Sequence, residues 1–206
     1  MNELKFKSQD KILIVAPHPD DEIIGCGGLI LSYPKQCDVL LLTDGSKGHR
    51  LWSPSRTARI RKREFESVMK KCNVSHYVSL GFNDRTLSRI VNCYHGQNLD
   101  KYDYVFVPNK CETHTDHRAS FYQLVLNRFI SCSRYKVFQY EVWSPLSNPT
   151  HILDITSCMN NKLEVLELYQ SQINELNYIG AVKGLNQYRG LLNHFSFAEC
   201  YREGVL

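Results

Sequence analysis

Short apolar runs alternate with longer stretches of helical character through the first two-thirds of the chain. Residues 11–15 are apolar after the leading lysine, the pattern of a strand buried on both faces. Residues 22–31 predict a helix despite Gly25, Gly27 and Gly28, since glycines early in a helix allow close packing or close approach of a ligand. Residues 38–43 predict a second buried strand, and a polar loop follows over 44–55. A helix is expected over 56–71, with Ala58, Ile60, Phe65, Val68 and Met69 as apolar positions. Residues 76–80 and 104–107 predict third and fourth strands, the latter stopped by Pro108, and 120–130 a further helix. Later, 136–143 and 151–155 read as strands, and 162–172 and 182–192 as helices.

Such alternation favours a mainly parallel sheet with helices on both faces. At 206 residues, with 43% hydrophobic and 22% charged side chains, the chain suits one globular domain over 1–206. A net charge of +4 permits an anionic partner without requiring one. Basic residues do not interleave with aromatics, so no nucleic-acid partner is expected. No apolar run approaches the ~20 residues of a membrane span, and residues 1–10 lack the character of a signal peptide. Eight cysteines without a C-x-x-C pair read as reduced thiols, which predicts a cytoplasmic protein. A homo-oligomer is left open.

Two clusters carry the candidate chemistry. His18-Pro19-Asp20-Asp21-Glu22 follows the first predicted strand, and His114-Thr115-Asp116-His117 follows the fourth. In open α/β sheets, ligands bind beyond the carboxyl ends of the strands where strand order reverses. If the first and fourth strands flank that point, the clusters face each other. Imidazole and carboxylate ligands suit Zn²⁺, and two histidines with one carboxylate also suit Fe²⁺. Three protein ligands leave room for a water whose pKa the metal lowers. A spare carboxylate can take its proton, and a spare histidine can stabilise an oxyanion or protonate a leaving group. The plainer reading is that Asp20 or Asp21 caps the following helix.

Ala16-Pro17-His18-Pro19-Asp20-Asp21-Glu22 with Gly25-Cys26-Gly27-Gly28 resembles the signature of the PIG-L or LmbE-like N-acetylglucosaminyl deacetylase family. The family usually reads A-H-P-D-D-E, so Pro17 is an insertion that leaves the H-P-D-D-E core intact. His114-x-Asp116-His117 is similar to the second family motif. Leu42-Thr43-Asp44-Gly45, Arg61-x-x-Glu64, Leu80-Gly81-Phe82-x-Asp84, Asp154-Ile155-Thr156, Ser171-Gln172 and Arg189-Gly190 follow in the family's order. The resemblance implies a Rossmann-like three-layer α/β/α fold. It implies His18, Asp21 and His117 as metal ligands for Zn²⁺, with Fe²⁺ as the alternative. Asp20 would be the general base, His114 would stabilise the tetrahedral intermediate and protonate the departing amine, and Asp116 would orient or tune a neighbouring histidine. The implied reaction is removal of the acetyl group from a small N-acetylglucosamine-containing molecule.

Arg61 belongs to a basic cluster with Arg56, Arg59, Lys62 and Arg63. It reads either as part of a solvated helix face or as a substrate-gripping residue, and the family pattern favours the latter. Asp84 reads as a ligand for sugar hydroxyls or as a turn residue. Trp52 and Trp143 can stack on a sugar, or Trp143 can sit in the core. Cys111 reads as a loop thiol rather than a ligand. Competing functions are an amidase acting on another small amide, a two-metal phosphoesterase and a catalytically inactive sugar-binding module.

Overall fold

Strand β2 (Ile12–Ala16) is buried at all five positions, as its unbroken apolar run predicts. Ile12, Ile14 and Ala16 enter one core, while Leu13 and Val15 enter a second on the other face of the sheet. The computed structural model describes residues 1–204; Val205 and Leu206, which end the predicted domain, lie outside them. Among the described residues no helix is long and apolar enough to cross a membrane.

The remaining strands are β1 (Asn2–Glu3), β3 (Cys37–Thr43), β4 (Tyr77–Phe82), β5 (Tyr104–Pro108), β6 (Lys136–Tyr140), β7 (His151–Asp154) and β8 (Ala198–Glu203). They form one eight-stranded sheet in the order β1-β7-β8-β6-β5-β2-β3-β4. All pairings are parallel except those of β8 with β6 and β7. From β2 the chain winds outward through β3 and β4, then returns to place β5 on the other side of β2. Strand order therefore reverses between β2 and β5, and a crevice opens beyond their carboxyl ends.

The helices are α1 (Asp21–Ser32), α2 (Pro54–Lys71), α3 (Thr115–Ile130), α4 (Met159–Leu166), α5 (Gln170–Ile173) and α6 (Tyr178–Leu191). Phe65, Val68 and Met69 of α2 and Val165 and Leu166 of α4 pack with α1 in the first core. Phe121 and Leu124 of α3 pack in the second. The three-layer α/β/α reading therefore holds. The early glycines of α1 serve packing: a Cβ on Gly25 would lie 2.1 Å from the Tyr140 ring, and one on Gly28 2.2 Å from Ile155.

One expectation is corrected and one strand is added to those expected. The helix predicted over 162–172 is broken between α4 and α5, where Tyr169 leaves helical geometry (φ −80°, ψ 54°) and donates its hydroxyl to the buried Glu22. Strand β8 was not expected, because Glu199, Arg202 and Glu203 disguise its alternation. Its Glu199 is nonetheless buried: it accepts from the N–H groups of Gly28 (2.7 Å) and Leu29 (2.9 Å) and from Lys162 Nζ (2.7 Å). Those two amides follow Cys26, whose φ of −134° interrupts α1, so the carboxylate caps the second half of the helix from within. All eight cysteines are free, five of them buried.

Candidate active site

The loop leaving β2 and the start of α1 carry His18, Asp20 and Asp21; the N-terminus of α3 carries His114, Asp116 and His117. Because β2 and β5 are neighbours, the two segments meet. Three atoms converge in the crevice: His18 Nδ1, Asp21 Oδ2 and His117 Nε2. The two imidazole nitrogens are 3.1 Å apart, and the carboxylate oxygen lies 3.2 Å from one and 3.1 Å from the other. Ligands ~2.0–2.1 Å from a tetrahedral ion stand about 3.3 Å apart, so the spacing fits a divalent cation.

The chemistry of the surrounding groups agrees. His18 Nε2 lies 3.3 Å from Asp116 Oδ2 and 3.2 Å from Asp84 Oδ1, which keeps the ring proton on Nε2 and the lone pair on Nδ1. His117 Nδ1 faces Glu112 Oε2 at 3.5 Å, long for a hydrogen bond, and favours the lone pair on Nε2. His18, Asp84 and Asp116 form a second group at metal-cluster spacing, as do His18, His114 and His117. The Asp84 and Asp116 carboxylates, however, already accept main-chain N–H groups. Asp116 accepts from Arg85 (2.7 Å) and Leu87 (3.1 Å), and Asp84 from Lys47 (2.8 Å). Asp116 thus has both oxygens engaged by main chain, whereas Asp84 Oδ1, the atom that faces His18, has no hydrogen-bond partner among the described residues.

Charge is distributed unevenly. Burial pushes the Asp20 carboxyl up to about 7, against the pull of Arg61, whose Nη2 lies 3.0 Å away. Burial also works to raise Asp21, but His117 and His18 hold it below the ordinary carboxylate range. Burial and the neighbouring His18 and His117 push His114 down to about 4. Asp84 is brought down to about 2, since His18 outweighs the effect of burial. Asp20 also has a strained backbone, at φ 126°. Its N–H donates to Glu22 Oε2 (3.2 Å), and its carbonyl accepts from Ile23 and Ile24 at the head of α1.

A family model described as PIG-L, GlcNAc-PI de-N-acetylase, matches residues 13–128, more than half of the chain. The chain belongs to the PIG-L family. It is 30% identical over 90 residues to a probable N-acetyl-alpha-D-glucosaminyl L-malate deacetylase 2 of Bacillus anthracis. That match spans about 40% of each chain. The N,N'-diacetylchitobiose deacetylase of Pyrococcus horikoshii shares the fold, with TM-score 0.76 and 22% identity, over 97% of this chain and 87% of that one. So does GalB, the 4-carboxy-2-hydroxymuconate hydratase of Pseudomonas putida, with TM-score 0.76 and 16% identity, over 95% and 96%. A fold shared by a deacetylase and a hydratase does not choose the reaction.

Within this PIG-L site the other predicted residues lie as follows. Arg61 is buried, not on a solvated face: Nη1 donates to the Gly45 carbonyl, and Nη2 donates to the Pro19 carbonyl and pairs with Asp20. It lines the crevice, and its contacts are to the segments that carry Gly45, Pro19 and Asp20. Asp84 and Asp116 stand behind His18, and Asp116 is wholly buried. His114 caps α3, its Nδ1 accepting the Asp116 N–H at 3.2 Å. Trp143 is 43% exposed and lines the crevice, so it is not core. Cys111 is exposed, away from the ligand atoms.

Glu112 was missed. Beyond facing His117, its Oε1 accepts the N–H groups of Val142, Trp143 and Ser144, each at 3.1 Å. The signal was an acid two residues before His114, in the loop that leads into α3. Glu22 and Tyr169 were also missed as supports of the Asp20 backbone.

Proposed function

We propose that this chain hydrolyses the acetamide of a small N-acetylated amino sugar, with His18, Asp21 and His117 holding Zn²⁺, or Fe²⁺ in its place. The convergence of three ligand atoms beside a spare buried carboxylate, Asp20, carries this reading. A cation held there would act as a Lewis acid, lowering the pKa of a water and polarising the amide carbonyl.

Asp20 accepts the proton of the attacking water; Arg61 holds its carboxylate, and Glu22 and the head of α1 hold its backbone. Because His114 Nδ1 accepts a main-chain N–H, its proton resides on Nε2, which can donate to the carbonyl oxygen as negative charge develops. The C–N bond then breaks. Acetate carries away the water oxygen, and the nitrogen leaves as an amine by taking the proton that Asp20 received, which returns Asp20 to its carboxylate form. Eight free thiols support a cytoplasmic setting.

The test is amine release from a panel of N-acetylglucosaminides by metal-stripped, Zn²⁺-loaded and Fe²⁺-loaded protein, with Asp20→Asn in parallel. Metal-dependent release that is lost in the variant supports the reading. One firmly bound metal with no release from any member points to another small amide, and no bound metal overturns the site.

A further inference from the structure

We propose that a groove beside the crevice is the subsite for an apolar, uncharged aglycone on the substrate, an inference that rests on the deacetylase reading above. The groove has a volume of about 230 Å³ and opens between the segment after β6 and helix α6. Ile24, Val142, Pro145, Val182 and Leu185 form its walls, with Ala181 at the exposed edge. Trp143 and Tyr178 line both the groove and the crevice that holds His18, Asp20, Asp21 and His114. Their rings are 5.3 Å apart and tilted by 56°. A molecule with its acetamide at the ligand atoms therefore meets these two rings as it leaves the crevice. The crevice itself is only about 100 Å³, room for the reacting group and little more.

The groove is a built feature. Trp143 is half-exposed, yet the main-chain N–H groups on both sides of it and its own are held by Glu112, the carboxylate that faces His117. The wall is thus tied to the segment that leads into α3 and its His117. Among the described residues no charged side chain lines the groove, and its one amide, Asn186, is already bonded to Lys162 and to the Ala198 carbonyl. An anionic aglycone would lose its hydration there without gaining a partner. Alkyl and aryl groups gain by leaving water, and the aromatic pair gives a flat face for either. The cations on the crevice rim, Lys47 and Arg85, are exposed side chains that would favour the opposite chemistry.

The experiment compares methyl, octyl, phenyl and carboxymethyl N-acetylglucosaminides in two ways: kcat/KM for amine release, and calorimetric binding to the metal-loaded protein. Ala181→Glu, which sets a charge at the groove edge, and Ala181→Trp, which fills it, are run alongside, with folding checked by circular dichroism. Discrimination by an apolar pocket is worth roughly 10–200-fold. The expected result is octyl and phenyl glycosides favoured over methyl by at least about tenfold in kcat/KM and in Kd. Both ratios should fall towards one in the two variants. Equal values for methyl and octyl, a preference for the carboxymethyl glycoside, or a preference unchanged by the Ala181 variants would each overturn the subsite. Tight octyl binding without amine release would uphold the subsite and reject the deacetylase reaction. Binding of neither apolar glycoside would reject the subsite regardless of activity.

Discussion

Arg61 Nη2 stands 3.0 Å from Asp20 Oδ2, with both side chains buried. Removing one member of such a pair leaves the other charge without a partner, at a cost of about 3–5 kcal/mol. Arg61→Met is therefore expected to lower the free energy of unfolding by about that amount, read from urea denaturation. A loss under about 1 kcal/mol, the scale of an exposed pair, would mean that water reaches Asp20.

The proposed roles of His117 as ligand and Asp20 as base can be separated. His117→Ala is expected to lose the metal on dialysis, measured by elemental analysis. Asp20→Asn is expected to keep it and to lose turnover by about 10²–10⁴-fold, the usual contribution of a positioned base. Equal metal loss in both variants would reverse the two assignments.

Asp116 touches His18 through Nε2 and is fixed by the N–H groups of Arg85 and Leu87. Asp116→Ala is expected to weaken metal binding about 10–100-fold, measured by chelator competition. Unchanged affinity would show that Asp84, on the same nitrogen, orients the ring alone.

Much of this arrangement was legible in the chain. Buried runs such as residues 12–16 and 104–108 mark parallel strands because both of their faces are covered, and the clusters after them converge because those strands pair. What stayed hidden were polar residues whose neighbours come from far along the chain. Glu199 carries no signal in its own segment, since Gly28, Leu29 and Lys162, which surround it, lie far away in sequence. The R-x-x-E pattern set Arg61 apart from the four cations around it, but its partners, the Asp20 carboxylate and the Gly45 and Pro19 carbonyls, come from segments that no local pattern joins. The break at Tyr169 depends on Glu22, 147 residues away, and no local propensity reports it.

The buried Lys162–Glu199 pair gives a test of the α1 interruption. Lys162→Met removes donations to Ile24, Asn186 and Glu199 together, and is expected to cost about 3–5 kcal/mol in thermal or urea unfolding. A change within about 0.5 kcal/mol, typical of surface positions, would mean that the main-chain donors to Glu199 suffice alone.

The Glu199 cap has a consequence in time. Gly28 and the carboxylate that satisfies its N–H are 171 positions apart. At ~5–20 residues per second, a ribosome needs on the order of ten to thirty seconds to make that span. Through that interval the helix bearing Asp21 exists with its middle turn unclosed. A nascent chain is thus expected to settle the crevice late in synthesis, long after His18 and Asp21 have emerged.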